Sequence, residues 1–163
     1  MKIILLASIG VLLMTSKTFA QTTPAKTLPP FEFSRLNQST FTNKDLPAGK
    51  ILFFMFFDSD CDHCQRTIHE IEQEYKSFQQ TVICLVSLDD KNKINHFISV
   101  YAPRLKAQKN VVLLQDTKNQ FIAMFNPIRY PAMFLYSKDR KLIDYEDNEL
   151  TVFRLVNTIR KNG

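Results

Sequence analysis

Apolar positions along the chain form unbroken runs that alternate with spaced stripes, and this alternation predicts strands and helices in turn. Residues 51–57 are apolar without a break, and residues 81–88 form a second run that is rich in β-branched side chains. Uninterrupted runs of this length are typical of strands buried on both faces of a parallel sheet. Shorter runs predict three more strands, at 111–114, 132–136 and 141–145.

Spaced apolar side chains predict the helices, because they recur every three or four positions, the period of one helix face. One stripe follows the first run and comprises Ile68, Ile71, Tyr75 and Phe78. A second stripe, which Pro103 should end, comprises Ile94, Phe97, Ile98 and Tyr101, and a third comprises Val152, Leu155, Val156 and Ile159. A short helix is expected at 118–125, and the alternating residues of 31–46 predict a short hairpin or an edge strand.

The order of these elements predicts an α/β protein whose central mixed β-sheet is covered by helices on both faces. A length of 163 residues is enough for one such domain. The chain has only three glycines, which excludes the phosphate-binding and dinucleotide-binding loops that need several glycines in one turn. The formal net charge is +5, but the basic residues are scattered, so we expect no nucleic-acid partner.

The first twenty residues have the layout of a secretory signal peptide. Lys2 precedes an apolar stretch at 3–14, and a short polar segment ends at Ala20. A helix of that length reaches about 18 Å, short of a hydrocarbon core of about 30 Å, so we expect cleavage after Ala20 and no stable membrane anchor afterwards. These features predict a signal peptide at 1–20, a flexible proline-containing leader at 21–32, a folded domain at 33–163, and export to a bacterial periplasm.

Two of the three cysteines, Cys61 and Cys64, lie within one helical turn of each other, at the start of the first predicted helix. In an oxidising compartment a close pair is either a structural disulfide or a redox couple. A structural disulfide that closes so short a loop would stabilise the fold very little. The free N–H groups at a helix start favour the thiolate of Cys61, the reactive form. We therefore predict that Cys61 is the nucleophile and that Cys64, more buried, resolves the mixed disulfide.

The residues between the cysteines tune this couple in opposite directions. A protonated His63 stabilises a nearby thiolate, whereas the anionic Asp62 disfavours it, and charge alone favours a moderately reducing pair. Cys84 lies inside an apolar run and is predicted to be a buried, inert thiol. His69 is rotated off the cysteine face and no fourth ligand is evident, so we expect no metal and no other cofactor.

The buried strand, the Cys61–Cys64 pair at a helix start and the later Tyr130–Pro131 before a hairpin strand resemble the thioredoxin superfamily. Within it, the chain is similar to the TlpA/ResA-like extracytoplasmic thiol-disulfide oxidoreductases. The resemblance implies a thioredoxin-like fold over 33–163, with Pro131 cis beside the cysteines and Tyr130 offering backbone groups to a substrate. It also implies protein thiols or disulfides as substrates, as in cytochrome c maturation, and a membrane thiol-disulfide interchange reductase as the electron donor.

Three positions depart from the pattern of these relatives. Asp60 stands where thioredoxins have a tryptophan, Met55 where they have a buried carboxylate, and Thr67 where some extracytoplasmic relatives have a glutamate. Glu70, one turn further, is expected to be a solvated helix residue. The proton acceptor for Cys64 is thus open between His63 and water.

The leading hypothesis is an exported oxidoreductase that reduces protein disulfides, and four other functions compete with it. The same fold could bind or deliver copper, which needs a soft third ligand beside the pair. The pair could instead form disulfides as an oxidase, because charge decides the direction only weakly. A peroxidase needs a Thr and an Arg beside its thiolate, and only Arg66 is near. The fourth alternative is a binding or scaffold domain that keeps the fold without catalytic turnover, and such a domain would not need both cysteines.

Overall fold

The computed structural model describes residues 23–148 and 152–163, and these residues form one mixed sheet flanked by helices. The predicted signal peptide lies outside the described residues. The strands of the sheet follow the spatial order β2-β1-β5-β4-β3-β6-β7. In chain order they are β1 (Glu32–Arg35), β2 (Thr40–Thr42), β3 (Leu52–Phe57), β4 (Val82–Ser87), β5 (Val111–Gln115), β6 (Ala132–Tyr136) and β7 (Leu142–Glu146).

The centre of the sheet is parallel and its edges are antiparallel hairpins. Strands β3, β4 and β5 run parallel to one another, whereas β6 pairs antiparallel with β3. The hairpin β1–β2 closes one edge and the hairpin β6–β7 closes the other. The predicted strands and the predicted mixed sheet are confirmed.

The helices occupy both faces of this sheet, as predicted. Their bounds are α1 (Asp62–Gln73), α2 (Tyr75–Phe78), α3 (Lys91–Tyr101), α4 (Pro103–Lys106), α5 (Phe121–Phe125) and α6 (Val152–Asn162), with a short 3-10 helix at Asn43–Asp45. Residues of α1, α3 and α6 pack on one face, and Phe121 and Phe125 of α5 pack on the other.

Three helix boundaries differ from the sequence prediction. The first stripe is divided at Glu74 into α1 and α2, because the backbone leaves helical geometry there while Phe78 of α2 still faces the core. Pro103 ends α3 as expected but also begins α4, since a proline at a first helical position loses no hydrogen bond. Helix α5 begins at Phe121 rather than at residue 118.

Strand β3 is buried on both faces and joins two cores. Phe53, Met55 and Phe57 belong to the core under α1, α3 and α6, whereas Phe54 and Phe56 belong to the core under α5. The second core is aromatic: the rings of Phe121 and Phe125 stack at a centroid distance of 4.0 Å, and those of Phe56 and Phe121 at 4.4 Å. The continuous apolar run at 51–57 follows from this burial on two sides.

The described part of the leader predicted at 21–32 is hydrogen-bonded to the rest of the fold. The N–H of Ala25 donates to the carbonyl of Phe125 at 3.0 Å, and the N–H of Leu28 donates to that of Arg140 at 2.9 Å. Leu142 donates in turn to Lys26 at 2.8 Å. Thus residues 25–28 lie along the β7 edge of the sheet. Among the described residues, no helix has both the length and the apolar character needed to cross a bilayer.

The ends of β3 and β4 and the start of β6 meet at one edge of the sheet. Phe56 and Phe57 near the end of β3 pair with Val86 and Ser87 at the end of β4, and Phe56 pairs with Ala132 at the start of β6. The loop that carries Cys61 follows β3, and Pro131 directly precedes β6. The topology therefore brings the two predicted site segments together, although they lie far apart in the sequence.

Candidate active site

Cys61 caps the start of α1 and points its sulfur at the free N–H groups of the first turn. Its backbone is extended (φ −88°, ψ 114°), and its Sγ accepts the N–H of Cys64 at 3.4 Å. The unsatisfied N–H groups of a helix start favour negative charge, so this position stabilises a thiolate. Cys61 is partly exposed, whereas Cys64 is fully buried. The pair thus combines one accessible sulfur with one protected sulfur.

The buried sulfur is held as a thiol. Burial raises the pKa of Cys64 far above its ordinary value, and the neighbouring Cys61 and Asp58 act in the same direction. A backbone hydrogen bond from Asp58 opposes these effects without overcoming them. Because its pKa is raised, Cys64 carries little of the reactive thiolate at neutral pH.

The loop before Cys61 is fixed by hydrogen bonds to the next strand end. Asp58 accepts the N–H of Cys61 on its carbonyl oxygen at 3.3 Å and the N–H of Asp60 on Oδ1 at 2.8 Å. The N–H of Ser59 donates to Oδ2 of Asp89 at 2.9 Å, and Lys93 Nζ contacts Oδ2 of Asp60 at 2.9 Å. These contacts join the β3–α1 loop to the β4–α3 loop and so hold the Cys61 backbone in place.

Asp89 is the acceptor at the centre of this connection. The Ser87 hydroxyl donates to the same oxygen, Oδ2, at 3.1 Å. Burial alone would raise the pKa of Asp89, but the hydrogen bonds from Ser59 and Ser87 and the charge of Lys93 outweigh it and lower the pKa. Sequence reasoning missed Asp89. The topology offered a signal, because the ends of adjacent parallel strands share one edge of the sheet.

Tyr130 and Pro131 lie beside the cysteine pair. Their peptide bond is cis, the geometry that the resemblance implies. The Tyr130 ring packs on Phe56 at a centroid distance of 4.9 Å. Burial raises the pKa of Tyr130 to about 12, with smaller contributions from the charges of Asp58 and the two cysteines. The side chain also packs against the core cluster that contains Cys64.

A polar cleft of about 170 Å³ connects the α1 side of the site to the cis-proline. It is lined by His63, Arg129, Tyr130, Pro131, Asp147 and Asn148. On the far side of Tyr130, an apolar groove of about 200 Å³ is lined by Phe56, Ile122, Pro127, Ile128, Arg129 and Tyr130. Tyr130 and Arg129 thus lie between a polar surface and an apolar one, and line both.

His63 is exposed and contacts a cation. The guanidinium of Arg66 donates to Nδ1 of His63 at 3.0 Å. Because a guanidinium only donates, Nδ1 accepts in this arrangement and carries no proton. A proton on Nδ1 would displace the hydrogen bond from Arg66, so the tuning role predicted for a protonated His63 competes with this contact. The spacing of three residues along one helix was the sequence signal for this contact.

The remaining candidate ligands lie away from the site. Cys84 is fully buried in the core under α5, across the sheet from Cys64, and burial raises the pKa of its thiol. His69 is exposed on α1 and contacts Gln73. Within residues 23–148 and 152–163, no group of three or more His, Cys, Asp or Glu side chains is arranged to hold a metal ion.

Comparison with known proteins places this site in a family. The family model of the AhpC/TSA family matches residues 24–145, which include both cysteines and the cis-proline. The chain belongs to the AhpC/TSA family. Membership of this family, together with the intact Cys61–Cys64 pair, identifies the chain as a thioredoxin-like redox enzyme, as predicted. No match was found among the curated proteins.

Solved structures show the same fold in other AhpC/TSA-like and thioredoxin-like proteins. DsbF of Mycobacterium tuberculosis superimposes with a TM-score of 0.69 at 21% identity, over 87% of this chain and 100% of that one. Peroxidoxin BcpB of the same organism gives 0.69 at 16% identity, over 86% and 98%. A secreted M. tuberculosis disulfide oxidoreductase homologous to E. coli DsbE gives 0.64 at 19% identity, over 80% and 95%. These matches confirm the thioredoxin-like fold.

Proposed function

We propose that this protein is an exported thiol-disulfide oxidoreductase that reduces protein disulfides with Cys61 and Cys64. One observation carries the proposal. The partly exposed Cys61 lies at a helix start and its sulfur accepts the N–H of Cys64, which is itself fully buried. This is the arrangement that an attacking and a resolving thiol require.

The cycle transfers two electrons in two exchanges. The Cys61 thiolate attacks one sulfur of a substrate disulfide, forms a mixed disulfide and releases the other substrate sulfur as a thiolate that takes up a proton. Cys64 then loses its proton and attacks Sγ of Cys61. The Cys61–Cys64 disulfide forms, the bond to the substrate breaks, and the second substrate sulfur leaves as a thiol. The substrate is reduced and the enzyme is oxidised.

Tyr130 and Pro131 are proposed to receive the substrate. They directly precede β6; both line the polar cleft, and Tyr130 also lines the apolar groove. The backbone groups of Tyr130 can pair with an extended substrate segment in the manner of an added strand. A folded substrate must therefore present its cysteine on an extended, accessible stretch.

The reducing direction is supported by the charges around Cys61. Asp58, Asp60 and Asp62 lie within three residues of Cys61 in the sequence, and anions near a thiol disfavour its thiolate, which favours the disulfide form of a redox pair. Equilibration with glutathione measures the outcome. A reductase should have a potential near that of thioredoxin, about −270 mV, and a potential near about −120 mV would make the protein an oxidase.

Two active-site variants test the proposed cycle. Cys64→Ser should accumulate mixed disulfides with a protein substrate, because it keeps the nucleophile and loses the resolving thiol. Cys61→Ser, the matched control, should accumulate none. Non-reducing gels after acid quenching would show both species, and equal trapping by the two variants would contradict the assignment of roles.

Export and the electron donor are part of the same proposal. The N-terminal pattern supports cleavage after Ala20, and the secreted DsbE homologue has the same fold. In a bacterium that produces the full chain, the periplasmic fraction should contain a protein that begins at Gln21, which intact-mass spectrometry would show. A membrane thiol-disulfide interchange reductase would return the pair to the dithiol form, and apocytochromes are candidate substrates.

A peroxidase is the second candidate, because a peroxidoxin is among the proteins that share the fold. The residue three positions before Cys61 is Asp58, an anion rather than the hydroxyl donor that such a site needs. We therefore expect slow consumption of hydrogen peroxide. Rapid peroxide turnover that depends on Cys61, with no reduction of protein disulfides, would favour the peroxidase. Copper binding has a separate test, a titration of the reduced protein with equimolar Cu(I).

A further inference from the structure

A cavity lies at the edge of the sheet opposite the cysteine pair. Its lining includes Lys50 just before β3, Thr81 just before β4 and Lys109 shortly before β5, together with Arg35 at the end of β1. The loop of Cys61, by contrast, follows the end of β3. The cavity has a volume of about 380 Å³, which is within the usual range of small-molecule sites. It is thus separate from the redox site, and the proposed cycle does not use it.

Arg35 presents a guanidinium to this cavity without an anionic partner. The side chain is half-buried, and its Cζ lies 4.4 Å from the centre of the Phe41 ring. Within the described part of the chain, the guanidinium donates no hydrogen bond and has no carboxylate at ion-pair distance. The ring holds the planar group in place, and its N–H donors remain available. Such a fork matches two oxygens of a carboxylate or of a phosphate group.

Two lysines add positive charge to the same cavity. Lys109 is exposed and forms no ion pair with the residues that the structure describes, and Lys50 donates to the neutral Oε1 of Gln80 at 3.0 Å. One carboxylate, that of Asp45, also lines the cavity. Its Oδ2 is engaged, because it accepts the N–H and the hydroxyl of Thr42 at 2.8 and 3.0 Å. Three cations thus accompany one carboxylate, and the cavity has an excess of positive charge.

Thr81 contributes a buried hydroxyl that has no partner. The residue is 1% exposed and lines the cavity, and its Oγ1 forms no hydrogen bond with any described residue. A buried hydroxyl without an acceptor destabilises a fold, so its presence in the wall of a cavity indicates a missing partner. The oxygen of a bound anion is an acceptor for exactly this kind of donor.

The wall that carries Thr81 is held in place by one amide. Nδ2 of Asn110 donates to the carbonyl oxygens of Phe78 and Thr81 at 3.0 and 2.7 Å. Its Oδ1 accepts the hydroxyl of Tyr75 at 2.7 Å. These bonds join the segment before β4 to the segment before β5, which includes Lys109. A ligand would therefore bind to donors whose backbone is already fixed, which lowers the entropic cost of binding.

The remaining wall is apolar. Phe41, Val82 and Val112 contribute carbon surface to the same cavity. An inorganic ion would leave this surface and much of the volume uncovered. The combination of donors and carbon surface fits an organic molecule that carries its charge at one end.

We propose that this cavity binds a small organic dianion. Its oxyanion groups pair with Arg35 and Lys109 and accept the hydroxyl of Thr81, and its carbon body packs on the apolar wall. A phosphate monoester and a dicarboxylate share this chemistry, because both present the paired oxygens that a guanidinium fork binds.

The experiment titrates the reduced protein by calorimetry at about pH 8 with phenylphosphonate, phthalate and the neutral benzamide. The first two probes represent the phosphate and the carboxylate source. We expect at least one of them to bind with a Kd of about 1 mM or lower, and more weakly as salt is added. Benzamide should bind at least about tenfold more weakly. In nitrogen-15 amide spectra, the signals of Thr81 and Asn110 should shift on binding, whereas that of Cys61 should stay in place.

Variants of the two cations test the role of charge. Arg35→Gln should weaken binding at least about tenfold, the effect of losing a hydrogen-bonded charge. Lys109→Glu should weaken it at least about fivefold. Lys91→Glu is the matched control, because it reverses one exposed lysine at the start of α3, on the cysteine edge of the sheet. Its Kd should stay within about twofold of wild type, since salt screens so distant a charge.

Thr81→Val separates a binding role from a structural one. Valine keeps the shape of the side chain and removes the hydroxyl. We expect at least about threefold weaker binding, together with an unfolding free energy, without ligand, that is equal to or higher than that of wild type. A hydroxyl that served only the fold would give the opposite change in stability and leave the Kd unchanged.

Each result supports or overturns the proposal. Binding of one dianion identifies its source, and binding of both shows that the site reads charge and shape alone. The proposal is overturned if neither dianion binds at about 10 mM, if benzamide binds equally well, or if the amide shifts lie elsewhere. Should Arg35→Gln fail to fold, the exposed Lys109→Glu decides, and an affinity equal to that of Lys91→Glu would rule out the site. None of these results bears on the redox cycle.

Discussion

Cys61 and Cys64 are separated by one helical turn and pack in the same core, yet they differ in burial. Cys61 has an accessible sulfur at the positive end of a helix, whereas Cys64 has no exposed surface. The helix start favours charge on the first sulfur, and burial disfavours charge on the second. The proposed order of attack and resolution therefore rests on solvation, since the two side chains are chemically identical.

Cys84 provides a contrast at the same scale, since it is a thiol to which the proposed cycle assigns no role. It is fully buried in the core under α5. Cys84→Ala should keep disulfide reduction at the wild-type level and cost about 1 kcal/mol of unfolding free energy, the value of roughly one buried methylene. Cys84→Ser should cost more, about 1–3 kcal/mol, because it buries an unpaired hydroxyl. Urea titrations of the reduced proteins would measure both, and loss of turnover in Cys84→Ala would contradict the prediction.

Asp89 predicts a pH-dependent contribution to stability. Its pKa is lowered in the folded protein, so its stabilisation is present above the unfolded-state pKa of about 3.9 and is lost as pH falls through the folded-state pKa. Asp89→Asn should therefore lower the unfolding free energy at pH 7 by about 1 kcal/mol, a low value because the carboxylate is partly open to solvent.

The measurement for Asp89 is a series of urea titrations between pH 7 and pH 3. The difference between wild type and Asp89→Asn should shrink below about pH 4, where both side chains become neutral. Asp60→Asn serves as a control, because an exposed ion pair contributes little at any pH. A difference that stays constant over the whole range would show that the charge of Asp89 has no part in it.

At the scale of elements, helix α1 also holds the start of α4, at a point far from the cysteines. Near its C-terminal end, Glu72 is buried and accepts the first N–H groups of α4, while Arg104 contacts its other oxygen at 3.2 Å. A side-chain carboxylate thus satisfies the start of a helix that has no side-chain cap of its own.

Removal of this carboxylate should destabilise the protein. Glu72→Ala leaves the N–H groups of Arg104 and Leu105 without their acceptor, and we expect a loss of about 2 kcal/mol in unfolding free energy. Glu72→Gln keeps one acceptor oxygen and should lose less. Chemical denaturation of the three proteins would give the ranking, and a Glu72→Ala variant as stable as wild type would show that α4 does not depend on this contact.

The elements also show what the sequence could and could not predict. The run at 51–57 and the stripe from Ile68 to Phe78 correctly predicted which positions face the core, because the local spacing of apolar side chains follows their burial. The helix break at Glu74 could not be predicted from the apolar pattern, because the side chains on either side of it face the same core. The contact of Asp89 with Ser59 depends on which strand ends meet, and a linear pattern of apolar residues does not contain that pairing.

At the scale of the whole molecule, the sheet is shared by two cores and cannot be divided between them. Strands β3 and β4 contribute alternate side chains to both faces. Loss of packing on either face therefore weakens the same central strands. Residues 25–28, which are hydrogen-bonded to Phe125, Arg140 and Leu142, connect the start of the described chain to the opposite edge of the sheet.

This sharing predicts one cooperative unfolding transition, which a matched pair of variants can test. Leu155 on α6 and Leu114 on β5 are both fully buried, but in different cores. Each Leu→Ala change should lower the unfolding free energy by about 2–5 kcal/mol, the cost of a large-to-small change in a packed core. In both variants, far-ultraviolet circular dichroism and tyrosine fluorescence should report the same urea midpoint, because β3 cannot lose one face and keep the other. Separate midpoints for the two probes in either variant would mean that the cores unfold independently. The active-site edge, which is built from the ends of β3 and β4, would then lose its geometry before the rest of the protein.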